Sequence, residues 1–197
     1  GTLRRQDGNL IADFDFIDAR NGDILWNRHV SCPENYFTQE LQDHLVNVIR
    51  SIGRSIADAA IDYVRDRPLL EIEDERLLIA GVSLMHRQPM RDFLRSREFL
   101  IEAARRSPNT AETHAWLGKW FVLSVFKGFT TDTVGDTQRA LDATARALDI
   151  NPESSFSLTI DGFANNNLLR NMDVANNRYS AALEINPNES LSWLLRG

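Results

Sequence analysis

Asp13, Asp15 and Asp18 fall within six residues of one another, and carboxylates set so closely are the hard oxygen ligands that a divalent cation takes. The same spacing suits the wet face of an edge strand, where charge deters pairing with a second chain, and that reading is preferred. The four histidines, His29, His44, His86 and His114, include no pair at ligand spacing, and neither His-Glu-x-x-His nor Cys-x-x-Cys occurs. No metal site is therefore assigned, and the histidines are read as structural. Cys32 would need a base and an orienting group to act as a nucleophile; a passive thiol near a strand end is the simpler expectation. With no glycine-rich phosphate loop in the sequence, no cofactor site and no catalytic residue are assigned, and the chain is not read as an enzyme. Trp116, Trp120 and Phe121 have the bulk to stack a ligand, but large residues at helical spacing are expected to be core.

The composition sets the frame for these groups. A chain of 197 residues with 43% hydrophobic side chains can bury a sizeable core. Its net charge of -6 opposes a surface built to neutralise phosphates or anionic lipid, so neither nucleic acid nor membrane is expected as a partner. No apolar run approaches the roughly 18 residues of a membrane span, and Gly1-Thr-Leu-Arg-Arg5 is not followed by the apolar stretch of a signal peptide. One cysteine permits no internal disulfide, which favours the cytoplasm slightly over the periplasm and leaves the compartment open. The sequence starts without Met on strand-like residues and ends within a helical pattern, so a piece of a longer protein is expected.

Two regions must position whatever the chain presents. Up to about Pro68, Leu10, Ala12, Phe14 and Phe16 alternate with Asp13 and Asp15, which predicts a strand over Leu10–Asp18. Asn21-Gly22 favours a tight turn into a second strand, Ile24–Arg28, so a β-hairpin is expected. From about Pro33 to Arg65 the period becomes helical: Leu41, Leu45, Val48, Ile49, Ile52, Ile56, Ala60 and Tyr63 should cover the hairpin. Residues 1–68 are thus expected to form a small, truncated α+β element and residues 69–197 a second domain.

That second region repeats itself. Ala103, Ala147 and Ala182 each precede a proline by five residues, and Ser96, Ala140 and Ala175 each precede those alanines by seven. Gly81, Gly118, Gly162 and Gly197 recur at spacings of 37, 44 and 35 residues. Small residues on one helical stripe let a neighbouring helix approach closely, and a proline that cannot continue a helix sets the turn into the next pair. The expected fold class is mainly α, a solenoid of about three helix-turn-helix units, the last truncated.

These residues resemble the tetratricopeptide repeat, a unit of about 34 residues with a large residue, Leu-Gly, an aromatic, spaced alanines and a closing proline. His114-Ala-Trp-Leu-Gly-Lys-Trp-Phe121 fits its first helix, and Trp193 with Gly197 fits the start of another. Asn165 and Thr144 depart from the pattern, and the unit Ala111–Pro152 is about ten residues too long, which predicts a loop over Ser124–Asp136. The longer run of Ala111–Trp120, Ala147–Pro152 and Leu158–Gly162 is similar to the repeat region of bacterial signalling proteins identified as adenylate or guanylate cyclases, or as winged-helix transcriptional regulators. In these a small α/β domain like the N-terminal domain of TolB precedes the repeats, and its ending resembles Gly1–Arg5, Leu10–Asp18 and Gly22–Trp26.

The resemblance implies a non-catalytic module of a signalling protein that binds a protein or peptide. It places a groove along the first helix of each unit, here Glu112, Ala115, Lys119 and Val122, then Phe156, Thr159, Phe163 and Asn166. The basic clamp with which some members hold a terminal carboxylate is not reproduced. An open sheet edge would add a homodimer, formed through residues 1–30.

Overall fold

The structure, a computed structural model, describes residues 1–17, 19, 22–33 and 39–196. Asp18, Asn21 of the expected turn and Gly197 lie outside the described residues, as do the side chains of Leu41, His44 and Leu45. The chain divides into two compact units, Gly1–Arg65 and Asp66–Gly197.

In the first unit three antiparallel strands, β1 (Thr2–Gln6), β2 (Asn9–Ile17) and β3 (Ile24–Pro33), lie in the order β1-β2-β3. The expected hairpin is therefore two-thirds of a meander. Asp7 and Gly8 turn β1 into β2 with φ of 49° and 73°, the left-handed pair that matches the twist of a two-residue hairpin. Ala12 pairs with Val30 and Leu10 with Cys32 on one face, while Asp13 pairs with His29 on the other. Helix α1 (Gln39–Val64) packs against β3 and buries Val48, Ala60, Ile61 and Val64. Ile49, expected on the covered face, is 67% exposed: it follows Val48 by one residue, and about 100° of helix separates the two.

The second unit opens on a 3-10 turn, Leu69–Glu71, followed by seven helices among the described residues: α2 (Asp74–Met85), α3 (Met90–Arg106), α4 (Ala111–Phe126), α5 (Thr133–Ile150), α6 (Ser155–Leu168), α7 (Met172–Ile185) and α8 (Ser190–Arg196). α2 packs with α3, α4 with α5, and α6 with α7, as antiparallel pairs. The repeated small residues sit where these pairs touch: Ser96, Ala140, Ala147 and Ala182 are fully buried, and Ala103 and Ala175 nearly so. A Cβ on Gly81 would lie 2.9 Å from Leu100, on Gly118 2.8 Å from Thr144, and on Gly162 2.6 Å from Tyr179. Only glycine admits the partner helix at that distance.

After each pair the chain turns in the same way, with Thr110, Ser154 and Glu189 donating their amides to the carbonyls of Ser107, Asn151 and Asn186. The extra length of the middle unit goes mostly into helix rather than into a loop over Ser124–Asp136. α4 continues to Phe126 and α5 starts at Thr133, capped by the Asp132 carboxylate on the Gly135 amide. The core joins Met85, Phe93, Leu100, Trp120, Phe121, Val122, Ala140 and Ala164, with the rings of Phe93 and Trp120 stacked at 4.8 Å. The fold is a mainly helical, tetratricopeptide-like solenoid preceded in sequence by a small α+β element.

Candidate functional site

Of the first helices of the pairs, α4 packs extensively on α6, while α2 touches α4 and α6 touches α8 more lightly; the second helices make no contact with each other as extensive as that of α4 with α6 among the described residues. Two layers so built curve toward the layer whose helices are closer. The inner face is therefore that of α2, α4, α6 and α8.

On it stands Trp116, in the middle of α4. Its ring lies 4.6 Å from that of Phe156 on α6 and meets the ring of His86, which caps α2, edge-on at 6.2 Å. Its indole Nε1 donates to Glu112 Oε1 at 3.4 Å. The Lys119 ammonium, one turn on, sits 4.6 Å above the Trp116 ring, where the electron-rich ring face attracts a cation. Burial pushes the Lys119 amine below its ordinary value, and the Glu189 carboxylate partly opposes that shift. Glu189, just ahead of α8, in turn accepts a hydrogen bond from Ser155 Oγ at 3.2 Å. Burial, and then the charges of Lys119 and Lys127, lower the pKa of His86, so its imidazole is neutral at pH 7. The face continues past His86 into a pocket of about 290 Å3, where Lys127 lies over the rings of Phe93 and Phe129.

The expected groove residues divide. Glu112 is exposed, and Lys119, Phe156, Phe163 and Asn166 are half-buried on the inner layer. Val122 and Thr159 are fully buried, and so is Ala115; none of the three lines an accessible surface. Val122 belongs to the core, and the Thr159 hydroxyl donates to the Ser155 carbonyl and pairs with Ser192 Oγ. Geometry explains the division on α4. Three residues make about 300° of helix rather than a full turn, so Ala115 and Val122 drift off the stripe that Glu112, Trp116 and Lys119 share.

Trp116, expected in the core with Trp120 and Phe121, is half-buried and packs against that core, with its ring also bordering the inner face; Trp120 and Phe121 are buried as expected. His86 and Glu189 were not foreseen, because both come from helix ends whose neighbours depend on the stacking. Of the remaining candidates, Cys32 is buried. Asp13 accepts from Thr2 Oγ1 and is hydrogen-bonded to His29 at 2.6 Å, with Arg4 3.6 Å away. The His29 contact is the main reason that its carboxyl is held below the usual value. Among the described residues no group of three or more His, Cys, Asp or Glu is arranged to hold a metal ion, and no helix is long and apolar enough to cross a membrane.

An inner layer of first helices, glycines at each intrapair contact and a recurring turn define a tetratricopeptide-type architecture. Among solved structures the chain is similar to that of YrrB, described as a TPR protein with an unusual peptide-binding site, with 16% identity, a TM-score of 0.51, and coverage of 77% of this chain and 69% of that one. It also matches the Arabidopsis OM64 TPR domain at 15% identity and a TM-score of 0.49, covering 62% of this chain and 90% of that one. No protein-family model matches the sequence, and no curated protein does.

Proposed function

We propose that the second unit is a non-catalytic protein-interaction module and that its inner face binds a peptide segment carrying a carboxylate beside an apolar side chain. The observation that carries this is Lys119, a partly desolvated cation held over the Trp116 ring, which itself lies against the ring of Phe156. A carboxylate entering there gains a charge-assisted hydrogen bond in a partly water-excluded setting, and the two rings offer the adjoining apolar contact. The description of YrrB as peptide-binding accords with this use of the fold.

The test is a peptide array against the purified chain. Bound sequences should be enriched in Asp or Glu next to large apolar residues, and Lys119→Ala should weaken binding about tenfold, with Asn166→Ala weakening it less. Both variants should melt within a few degrees of the parent, as surface changes usually do. Full retention of binding by Lys119→Ala removes the face from consideration.

We further place the module in a bacterial signalling protein of the adenylate or guanylate cyclase-like kind, with a winged-helix regulator as the alternative and residues 1–68 as the end of a TolB-like domain. The run from Ala111 to Trp120 and the strand sequence Leu10–Asp18 support that assignment. The sequence encoded upstream of Gly1 tests it, since cyclase motifs and a winged helix are distinct.

A second reading concerns self-association. β1 ends the sheet order, and its Leu3 is 68% exposed, the kind of edge that recruits a further strand. A homodimer joined along β1 should dissociate when Leu3 is replaced by proline, which removes an edge donor. A chain that is monomeric by light scattering at high concentration ends this reading.

A further inference from the structure

The first unit carries a charged groove that the interaction face does not use. Along β3, Trp26, Arg28, Val30 and Cys32 alternate with Asn27, His29 and Ser31, and Val30 and Cys32 are buried. Arg28 thus falls on the strand face that elsewhere is apolar. Helix α1 packs against β3, and its Arg50 and Arg54, one turn apart, meet Arg28 in a groove of about 630 Å3 whose wall includes Trp26 and Ser55. Among the described residues none of the three guanidiniums has a hydrogen-bond or ion-pair partner. Among the described residues no carboxylate lines the groove: Asp58, one turn beyond Arg54, is outside it, and Asp13 and Asp15 belong to the opposite face of the sheet, opposite His29 and Asn27.

Three like charges in one groove repel each other, a cost that an anion removes. The stoichiometry points to the anion. Each guanidinium presents a planar fork of N–H donors. A carboxylate has two oxygens and one charge, and leaves at least one fork unmatched. A phosphate monoester presents three oxygens and close to two charges, one oxygen for each fork. Ser51 donates its own proton to the Asn47 carbonyl at 2.8 Å, so the neutral donor left at the wall is Ser55, and the half-buried Trp26 ring offers an apolar surface to the organic part of the ester.

We propose that Arg28, Arg50 and Arg54 form a binding site for a phosphate monoester. The site is independent of the peptide-binding reading of the second unit. The test is calorimetry on the full chain at physiological ionic strength with phenyl phosphate, inorganic phosphate and benzoate, and a flotation assay with phosphatidylcholine vesicles containing phosphatidic acid. Phenyl phosphate is expected to bind one per chain, at least tenfold more tightly than benzoate. Arg28→Ala and Arg50→Ala should each weaken it about tenfold or more, and Arg50→Lys should weaken it too, since the charge stays and the fork is lost. Arg91→Ala, a change at an exposed arginine of the second unit, should leave it unaltered. Saturable binding of phenyl phosphate identifies a soluble ester; binding confined to the phosphatidic acid vesicles and lost in Arg28→Ala identifies the same chemistry on a lipid headgroup. The proposal is overturned by binding in neither arm, by binding that the arginine variants retain, or by capture of a homopolymeric RNA that phenyl phosphate does not displace.

Discussion

Tyr179 shows how much one atom can decide. Its ring fills the space that Gly162 leaves, and its hydroxyl is buried without a hydrogen-bond partner among the described residues. Burial pushes the phenol up to about 12. A buried donor left unsatisfied loses its water without replacement, so Tyr179→Phe should stabilise the chain by about 1 kcal/mol at neutral pH. The folded value lies above the ordinary 10.0, so the neutral phenol contributes stability that is complete below about pH 10 and is lost as pH rises through about 12. Urea melts of both proteins at pH 7 and above pH 10 check this. The phenylalanine variant should lose less stability in the alkaline range, and a variant weaker than the parent at pH 7 would show that the hydroxyl has a partner. None of this was legible in the sequence: Ala175 and Gly162 announce a close helix contact, but not which ring fills it. The inner-face contacts of Trp116 went unread for a related reason, since its spacing suits the core, against which it packs, as well as that face.

Elements were easier to read than atoms wherever a repeat carried the signal. Prolines 108, 152 and 187 mark three turns with the same hydrogen bond, and the glycines mark three close contacts. The opening residues were read as strand-like, but the bounds of β1 and its pairing with β2 were not, although Asp7-Gly8 is a hairpin signal, because five residues with two arginines show no apolar alternation. The tie between the 3-10 turn and α3 was equally hidden. The Arg106 guanidinium, 18% exposed, donates to the carbonyls of Ile72 at 2.6 Å and Leu69 at 3.0 Å, and to the carboxylates of Glu102 at 2.6 Å and Asp74 at 3.1 Å. In sequence it is one of two adjacent arginines; only folding separates it from Arg105, whose side chain is 64% exposed. Arg106→Ala should therefore destabilise the chain markedly, because it strands two part-buried carbonyls and leaves Glu102 with Arg105 alone. Arg105→Ala should cost well under half of that. Equal losses in denaturant titrations would refute the special place given to Arg106.

At the scale of the whole chain, stability should divide as the contacts do. Two buried clusters among the described residues of the helical region, one around Trp120 and one around Ile160, are made wholly of residues from Asp66 onward. In a solenoid each pair is held by its neighbours, so the energy is a sum of local terms rather than a property of one central core. The first unit has only 65 residues and, among the described ones, three strands and one helix, a size at which a core is marginal by itself. We therefore expect a fragment of residues 66–197 to keep the helical circular dichroism of its seven helices and to melt cooperatively, within a few degrees of the second unit's transition in the full chain. Residues 1–65 alone should unfold at lower temperature with a shallower transition. The turn at Pro68 is where sequence reading set the boundary, because a proline after a basic last turn ends a helix whatever follows it. If the 66–197 fragment melts without cooperativity, or with clearly less helix per residue than it shows in the full chain, the helical pairs depend on the first 65 residues, and the division of stability proposed here fails.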